Sequence, residues 1–256
     1  MQFKLGRNRP PPMRKMCLHD YRTSIVLPTP PPTCSYAPKA APALSQVYLN
    51  DELGDCVIAG MAHLVGVFSG NAGMSPEVFT ADQITALYSA IGGYVPGDEA
   101  TDGGCDERAA MAYWQKTGAP AGENQITGWV SIDGTNVARV RTALWLFENL
   151  LFGIELPDAW INPAPEAPGF VWNVVGAADE NNGHCFVGVG YDETGVIIDS
   201  WGMLGKITYQ AIAAYATATG SGELYAVISP EVVARATAKA PNGFDWAQLQ
   251  ADFSAL

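Results

Sequence analysis

The sequence predicts an α+β protein: a helical first half, a mostly stranded second half, and an extended basic arm ahead of both. Three observations carry this. The pattern changes after Gly122, from mostly helical segments to mostly short strand-like pieces. With 27 glycines and 18 prolines among 256 residues, the chain holds more punctuation than a helical bundle carries. At 48% hydrophobic and 16% charged, it has apolar material for one large domain or two packed lobes, which excludes disorder, coiled coil and collagen as overall classes.

Residues 1–45 contain RPPP, LPTPPPT and APKAAPA. Proline fixes φ and lacks a donor, so this stretch is expected to run extended over a surface rather than enter the core. The body starts near Val47. Asp55 followed by CVIAGMAHLVGVF reads as a capped helix, apolar nearly all round and so buried centrally in a helical lobe spanning 46–122. Two further helices are expected there, over 80–90 behind the TADQ capping pattern and over 106–117. In a β lobe over 123–229, strands are expected at 126–132, 152–156, 185–191, 196–200 and 224–228, with helices near 137–151 and 209–215. CFVGVGYDETGVIIDSW reads as a hairpin turning at 192–195. A helical tail, 230–256, opens after Ser229 as N-cap and ends in the amphipathic FDWAQLQADFSAL.

The net charge of −12 argues against nucleic-acid and anionic-lipid partners for the molecule as a whole, but the charge is uneven. Lys4, Arg7, Arg9, Arg14, Lys15 and Arg22 face only Asp20 within the first 22 residues. An acidic body thus carries a basic arm. MQFKLGRNRPPPMRK puts charges where a secretory signal needs apolar residues, and the longest nearly apolar run, 56–68, is too short to span a bilayer. Cys17, Cys34, Cys56, Cys105 and Cys185 are odd in number and widely spaced, without a CxxC pair. This argues against a disulfide framework and a structural zinc site, and for a reducing compartment, cytoplasmic or virion-associated.

Free cysteine is usually core, but Cys56 stands in the first turn of a helix, where unsatisfied N–H groups and the macrodipole stabilise a thiolate. Gly54 before it lets a substrate backbone come close. Such a nucleophile needs a base, and the chain has three histidines. His63 shares the helix face of Cys56 but stands two turns away, about 10 Å, and reads as a core or lobe-interface residue. His19 sits in the arm with nothing to hold it. His184 opens a strand after the loop DENNG and projects toward a cleft. Counted outward from the hairpin turn, Asp199 falls beside His184, positioned to accept its Nδ1 proton.

Cys56 at a helix start, GHCFVGVGY and IIDSWG follow one another in an order that resembles the papain-like cysteine peptidases, over residues 49 to about 228. DGGC followed by a helix is similar to that family's glycine- and cysteine-rich stretch. The resemblance implies a two-lobe α+β fold with the cysteine on its central helix, and makes Asn50 the side-chain oxyanion donor, in the place of a family glutamine. Asn50 is one methylene shorter, so the backbone must approach more closely. Asp199 stands where the family has asparagine, which favours the imidazolium. Cys185 is expected to point into the core, with no catalytic role. The proline-rich start and the C-terminal end are most similar to unassigned papain-like proteins of bacteria and phages.

The function expected is amide or peptide hydrolysis through Cys56, His184, Asp199 and Asn50 and an acyl-enzyme, on a peptide or protein in the inter-lobe cleft, with no metal or cofactor. The alternative is a catalytically silent structural or docking protein, a phage virion component assembling through residues 1–45. A third reading lays the arm in the cleft as an intramolecular inhibitor.

Overall fold

The computed structural model describes residues 3–9, 16–23 and 27–254. Apolar residues on every side of the segment after Asp55 leave it no solvent face, and helix α2 (Cys56–Asn71) is buried from Cys56 to Gly70. The short α1 (Ala41–Leu44) packs against it. α3 (Ala81–Gly92) opens with the expected capping box: Thr80 Oγ1 accepts from the Gln83 N–H, and Gln83 Oε1 accepts from the Thr80 N–H at 2.8 Å. α4 (Glu107–Thr117) is capped by Asp106, which accepts from the Ala109 N–H at 2.8 Å. Trp114 of α4 is wholly buried and donates Nε1–H to the Asn124 carbonyl at 2.6 Å. Trp114→Ala leaves both a cavity and an unpaired carbonyl. A loss of about 3–5 kcal/mol is expected, measured as a lower urea midpoint.

The second half is one mixed sheet in the order β4 (Gly128–Ser131), β10 (Glu223–Ile228), β5 (Leu150–Glu155), β7 (Gly183–Tyr191), β8 (Gly195–Ser200), β9 (Met203–Thr208), β6 (Val171–Trp172). Neighbours are antiparallel except β6 and β9. β5 and β7 are buried at every residue and form the face against which α2 packs. α5 (Val137–Phe147) stops four residues short of the expected end. Glu148 turns left-handed at φ 69°, and the Asn149 side chain bonds both the N–H and the C=O of Val227 in β10. β5 therefore begins at Leu150, two residues before its expected start. α6 (Tyr209–Tyr215), α7 (Pro230–Lys239), capped by Ser229 as expected, and α8 (Trp246–Phe253) complete the chain. Among the described residues no helix is long and apolar enough to cross a membrane.

The arm does more than lie over the surface. β2 (Cys34–Ser35) pairs with the end of β7, and Leu18 is buried. β1 (Arg7–Asn8) pairs in parallel with β3 (Cys105–Asp106), just ahead of α4. Its proline content removes donors locally, but the non-proline stretch at 3–9 keeps them and uses them. Arg14 and Lys15 of the basic arm, and the prolines of RPPP, lie outside the described residues.

Candidate active site

Cys56 is the first residue of α2, and its sulfur faces the backbone N–H groups of Cys185 and Gly6. Cys185 follows His184 directly on β7, so the helix start and the strand start meet at this sulfur. Asp55 occupies the N-cap position, but its carboxylate makes no cap to the helix; it is buried beside Asn50, and burial pushes its pKa well up. The expected Asp55 cap is thereby corrected. The chain pays for no charge here by capping, and the helix end keeps its free N–H groups near the sulfur.

His184 is buried, with Nε2 2.8 Å from Ser200 Oγ and Nδ1 without a hydrogen-bond partner among the described residues. The Trp201 ring stacks on the imidazole, centroids 4.5 Å apart and planes 19° from parallel. Asp199 is not the residue beside His184. Its Oδ2 lies 3.4 Å from Nε2 of His63, which donates to the Gln46 carbonyl at 2.9 Å. The reason is a bulge. Gly190 pairs with Ile197 but Gly188 with Ile198, so Val189 is the extra residue of β7. An unbroken count from the turn puts Asp199 on the face of His184; one extra residue exchanges the faces, and Val187 now pairs with Asp199. Ser200 takes the position by the ring. His63, read as a core residue, is buried as expected and acquires the carboxylate partner.

Asn50 is 2% exposed, and its Nδ2 donates to the carbonyls of Leu53 at 3.1 Å and Lys4 at 3.3 Å. The Lys4 N–H in turn donates to the Asn50 carbonyl at 3.3 Å. The amide that the resemblance assigns to an oxyanion thus holds a peptide carbonyl of the arm. The arm continues in both directions from there. Phe3 stacks on the outer face of Trp201 at 4.4 Å, and Lys4 Nζ reaches Asp102 at 3.2 Å. Gly6 is wedged between Gly54 and Gly104, where a Cβ on Gly6 would fall 1.6 Å from the Gly54 carbonyl oxygen. Only glycine passes that slot. Arg7 turns inward to Glu107 and Glu223, and Arg9 reaches Glu155 at 2.5 Å. Beside Phe3 and Leu5 a cavity of about 600 Å³ remains, lined also by Asp158, Asn162 and Trp201.

With the arm seated, the sulfur and the ring are both dry. Burial, reinforced by the nearby Asp55 and Glu107 charges, pushes the Cys56 thiol up to about 12, and burial lowers His184 to about 3. The expected stabilised thiolate is absent from this closed state, because desolvation outweighs the helix end and the two N–H groups. At rest the thiol and the imidazole are each neutral. Burial likewise raises the Asp199 carboxyl well above its usual range.

Ser200, Trp201, Arg7, Glu107 and Glu223 escape the sequence reading as site residues. Ser200 and Trp201 were legible only as parts of DSWG, and the bulge that promotes Ser200 has no sequence signature beyond glycines on both sides of Val189. Glu107 lies in the first turn of α4, and Gly153 on β5 leaves the space its carboxylate fills, since a Cβ there would fall 2.0 Å from Glu107 Oε1.

No protein-family model matches the chain, and no curated protein matches it by sequence. Solved structures do match. The cysteine protease xylellain from Xylella fastidiosa is similar with TM-score 0.63 and 16% identity, over 90% of this chain and 98% of that one. Digestive procathepsin L2 from the Tenebrio molitor larval midgut gives TM-score 0.58 at 12% identity, over 88% and 78%. Procathepsin L 3 from the same midgut gives 0.55 at 10%, over 84% and 76%. At these identities the likeness establishes the fold: the chain has the two-lobe α+β architecture of the papain-like cysteine proteases.

Proposed function

We propose that this papain-like chain is a thiol hydrolase of amide or peptide bonds, held at rest by its own residues 3–9. The observation that carries the proposal is the convergence at one sulfur. Cys56 opens the buried helix, Cys185 on β7 supplies a backbone N–H to its sulfur, and the residue before Cys185 is His184, whose Nδ1 has no hydrogen-bond partner among the described residues.

Once the arm leaves, water reaches the pair and the desolvation that keeps both groups neutral is relieved. The Cys56 proton moves to His184 Nδ1, with Nε2–H donating to Ser200 Oγ and Trp201 fixing the plane of the ring. The thiolate attacks the amide carbon. The oxygen's developing charge is met by the Cys56 backbone N–H and by Asn50 Nδ2, which in the closed state holds the Lys4 carbonyl. His184 gives its proton to the departing amine; a water deprotonated by His184 then releases the acyl group and restores the thiol. Asp199 lies outside this path, paired with His63.

The same contacts, with Asn8 Nδ2 donating to the Gly103 carbonyl at 2.9 Å, favour an inhibitory arm over one that assembles particles, since each described residue from Phe3 to Arg9 apart from Leu5 has a partner on its own body or packs in its glycine slot. The docking alternative would need that arm free. The test is to acylate the Arg7→Glu chain, in which the arm is expected to leave, with p-nitrophenyl acetate, quench with acid and map the adduct by mass. An acyl group on Cys56 that is missing from Cys56→Ser and strongly reduced in His184→Ala is expected; acylation at Cys17 or Cys34 alone contradicts the proposal.

A further inference from the structure

Beside the sulfur, the side chain of Arg7 fills a buried pocket between two carboxylates. Arg7 leaves the arm just after Gly6 and buries its side chain to 1% exposure against Glu107, itself 0% exposed, and Glu223, 10% exposed. Its Nε lies 3.4 Å from Glu107 Oε2, one terminal nitrogen 4.0 Å from Glu223 Oε2, and the other donates to the Ser221 carbonyl at 3.3 Å. Cys185 forms a shared wall, with its backbone N–H on the Cys56 sulfur and its side chain beside Glu107. The pocket therefore adjoins the nucleophile.

We infer that this pocket selects arginine in the substrate, so that the hydrolase acts on basic peptides carrying arginine close to the bond it cleaves. The inference rests on the thiol-hydrolase reading above for its consequence, and on the pocket alone for its ligand. Two carboxylates and a carbonyl surround one planar fork, an arrangement of acceptors that a guanidinium meets and an aliphatic side chain leaves unpaired in a dry site. A lysine ammonium presents its charge at a single point and reaches fewer of the three. Gly153 behind Glu107 and Gly183 against the Arg7 carbonyl keep the space open, since a Cβ on either would strike those atoms at 2.0 and 2.4 Å. Two residues on, Arg9 meets Glu155 at 2.5 Å with 55% of its side chain exposed, a second and shallower basic contact in the same direction. The arm thus reads as the resident form of the ligand, cationic and glycine-preceded.

The experiment uses the full chain with Arg7→Ala, which vacates the pocket. Calorimetry compares acetyl-Leu-Gly-Arg-Asn-amide, the sequence of residues 5–8, with the same peptide bearing citrulline, a neutral isostere of arginine. The arginine peptide is expected to bind at least about tenfold tighter, and the gap is expected to close when Glu107→Gln and Glu223→Gln are added. Equal affinities, or no binding of either peptide, overturn the pocket assignment. Should Arg7→Ala fail to fold, Arg7→Gln keeps the length and polar tip and is given the same pair. Mapping iodoacetamide labelling of Cys56 in the Arg7→Glu chain, whose arm is expected to leave, separates the two ideas. Labelling without peptide discrimination removes the arginine pocket and leaves the hydrolase, whereas discrimination with an inert Cys56 keeps the pocket as a ligand site and removes the hydrolase.

Discussion

Arg7→Glu is expected to raise the rate at which iodoacetamide alkylates Cys56 at pH 7 by at least about a hundredfold. The substitution replaces the cation between Glu107 and Glu223 with a third carboxylate in a site closed to water. Like charges at that depth cost several kcal/mol, more than the stack of Phe3 on Trp201 and the exposed contacts of Lys4 and Arg9 return, so the arm leaves. The sulfur then regains water. A fall from about 12 to the ordinary thiol value of ~8.5 multiplies the thiolate present at pH 7 by about three thousand, and pairing with His184 adds to that. In the unaltered chain the rate should climb about tenfold per pH unit into alkali without levelling, because the thiol remains protonated until the covering is lost. Peptide mapping keeps Cys17 and Cys34, both partly exposed, out of the count.

Ser200→Ala and Asp199→Asn should part company sharply. In the Arg7→Glu background, Ser200→Ala removes the only hydrogen bond the His184 ring makes among the described residues and is expected to slow acyl transfer by about 10- to 100-fold. Asp199→Asn keeps the size and polarity of a side chain that faces His63 and should leave acyl transfer within about twofold. The assignment of the orienting role to Ser200 fails if the effects are reversed. Burst amplitude with p-nitrophenyl acetate, normalised to folded protein by circular dichroism, supplies the readout.

The division of labour between residues explains what the sequence could convey. Helix α2 was legible because apolar residues run all round it, and α3 and α7 because their caps are local, three residues from Thr80 to Gln83 and from Ser229 to Val232. Cys56 and His184 were legible by position, a thiol at a helix start and an imidazole near a strand start. Asp199 misled because strand faces depend on every residue between it and the turn, and the bulge at Val189 shifts that count by one. The seat of the arm was hidden for a different reason. Gly6 meets Gly54 and Gly104, and Arg7 meets Glu107 and Glu223, across separations of 48 to more than 200 residues, where no periodicity operates. β9 was missed because Gly205 and Lys206 interrupt a strand that is only partly buried.

The measurement closest to the centre of this account is the pH dependence of Cys56 alkylation in the Arg7→Glu chain, with and without His184→Ala. A reactive pair gives a rate that is already on a plateau below pH 7 and loses that plateau when the imidazole is removed, reverting to a single rise near the ordinary thiol value of ~8.5. One rise near that value in both proteins, unmoved by His184, would mean that the sulfur and the ring do not share a proton, and the hydrolase would have to be given up.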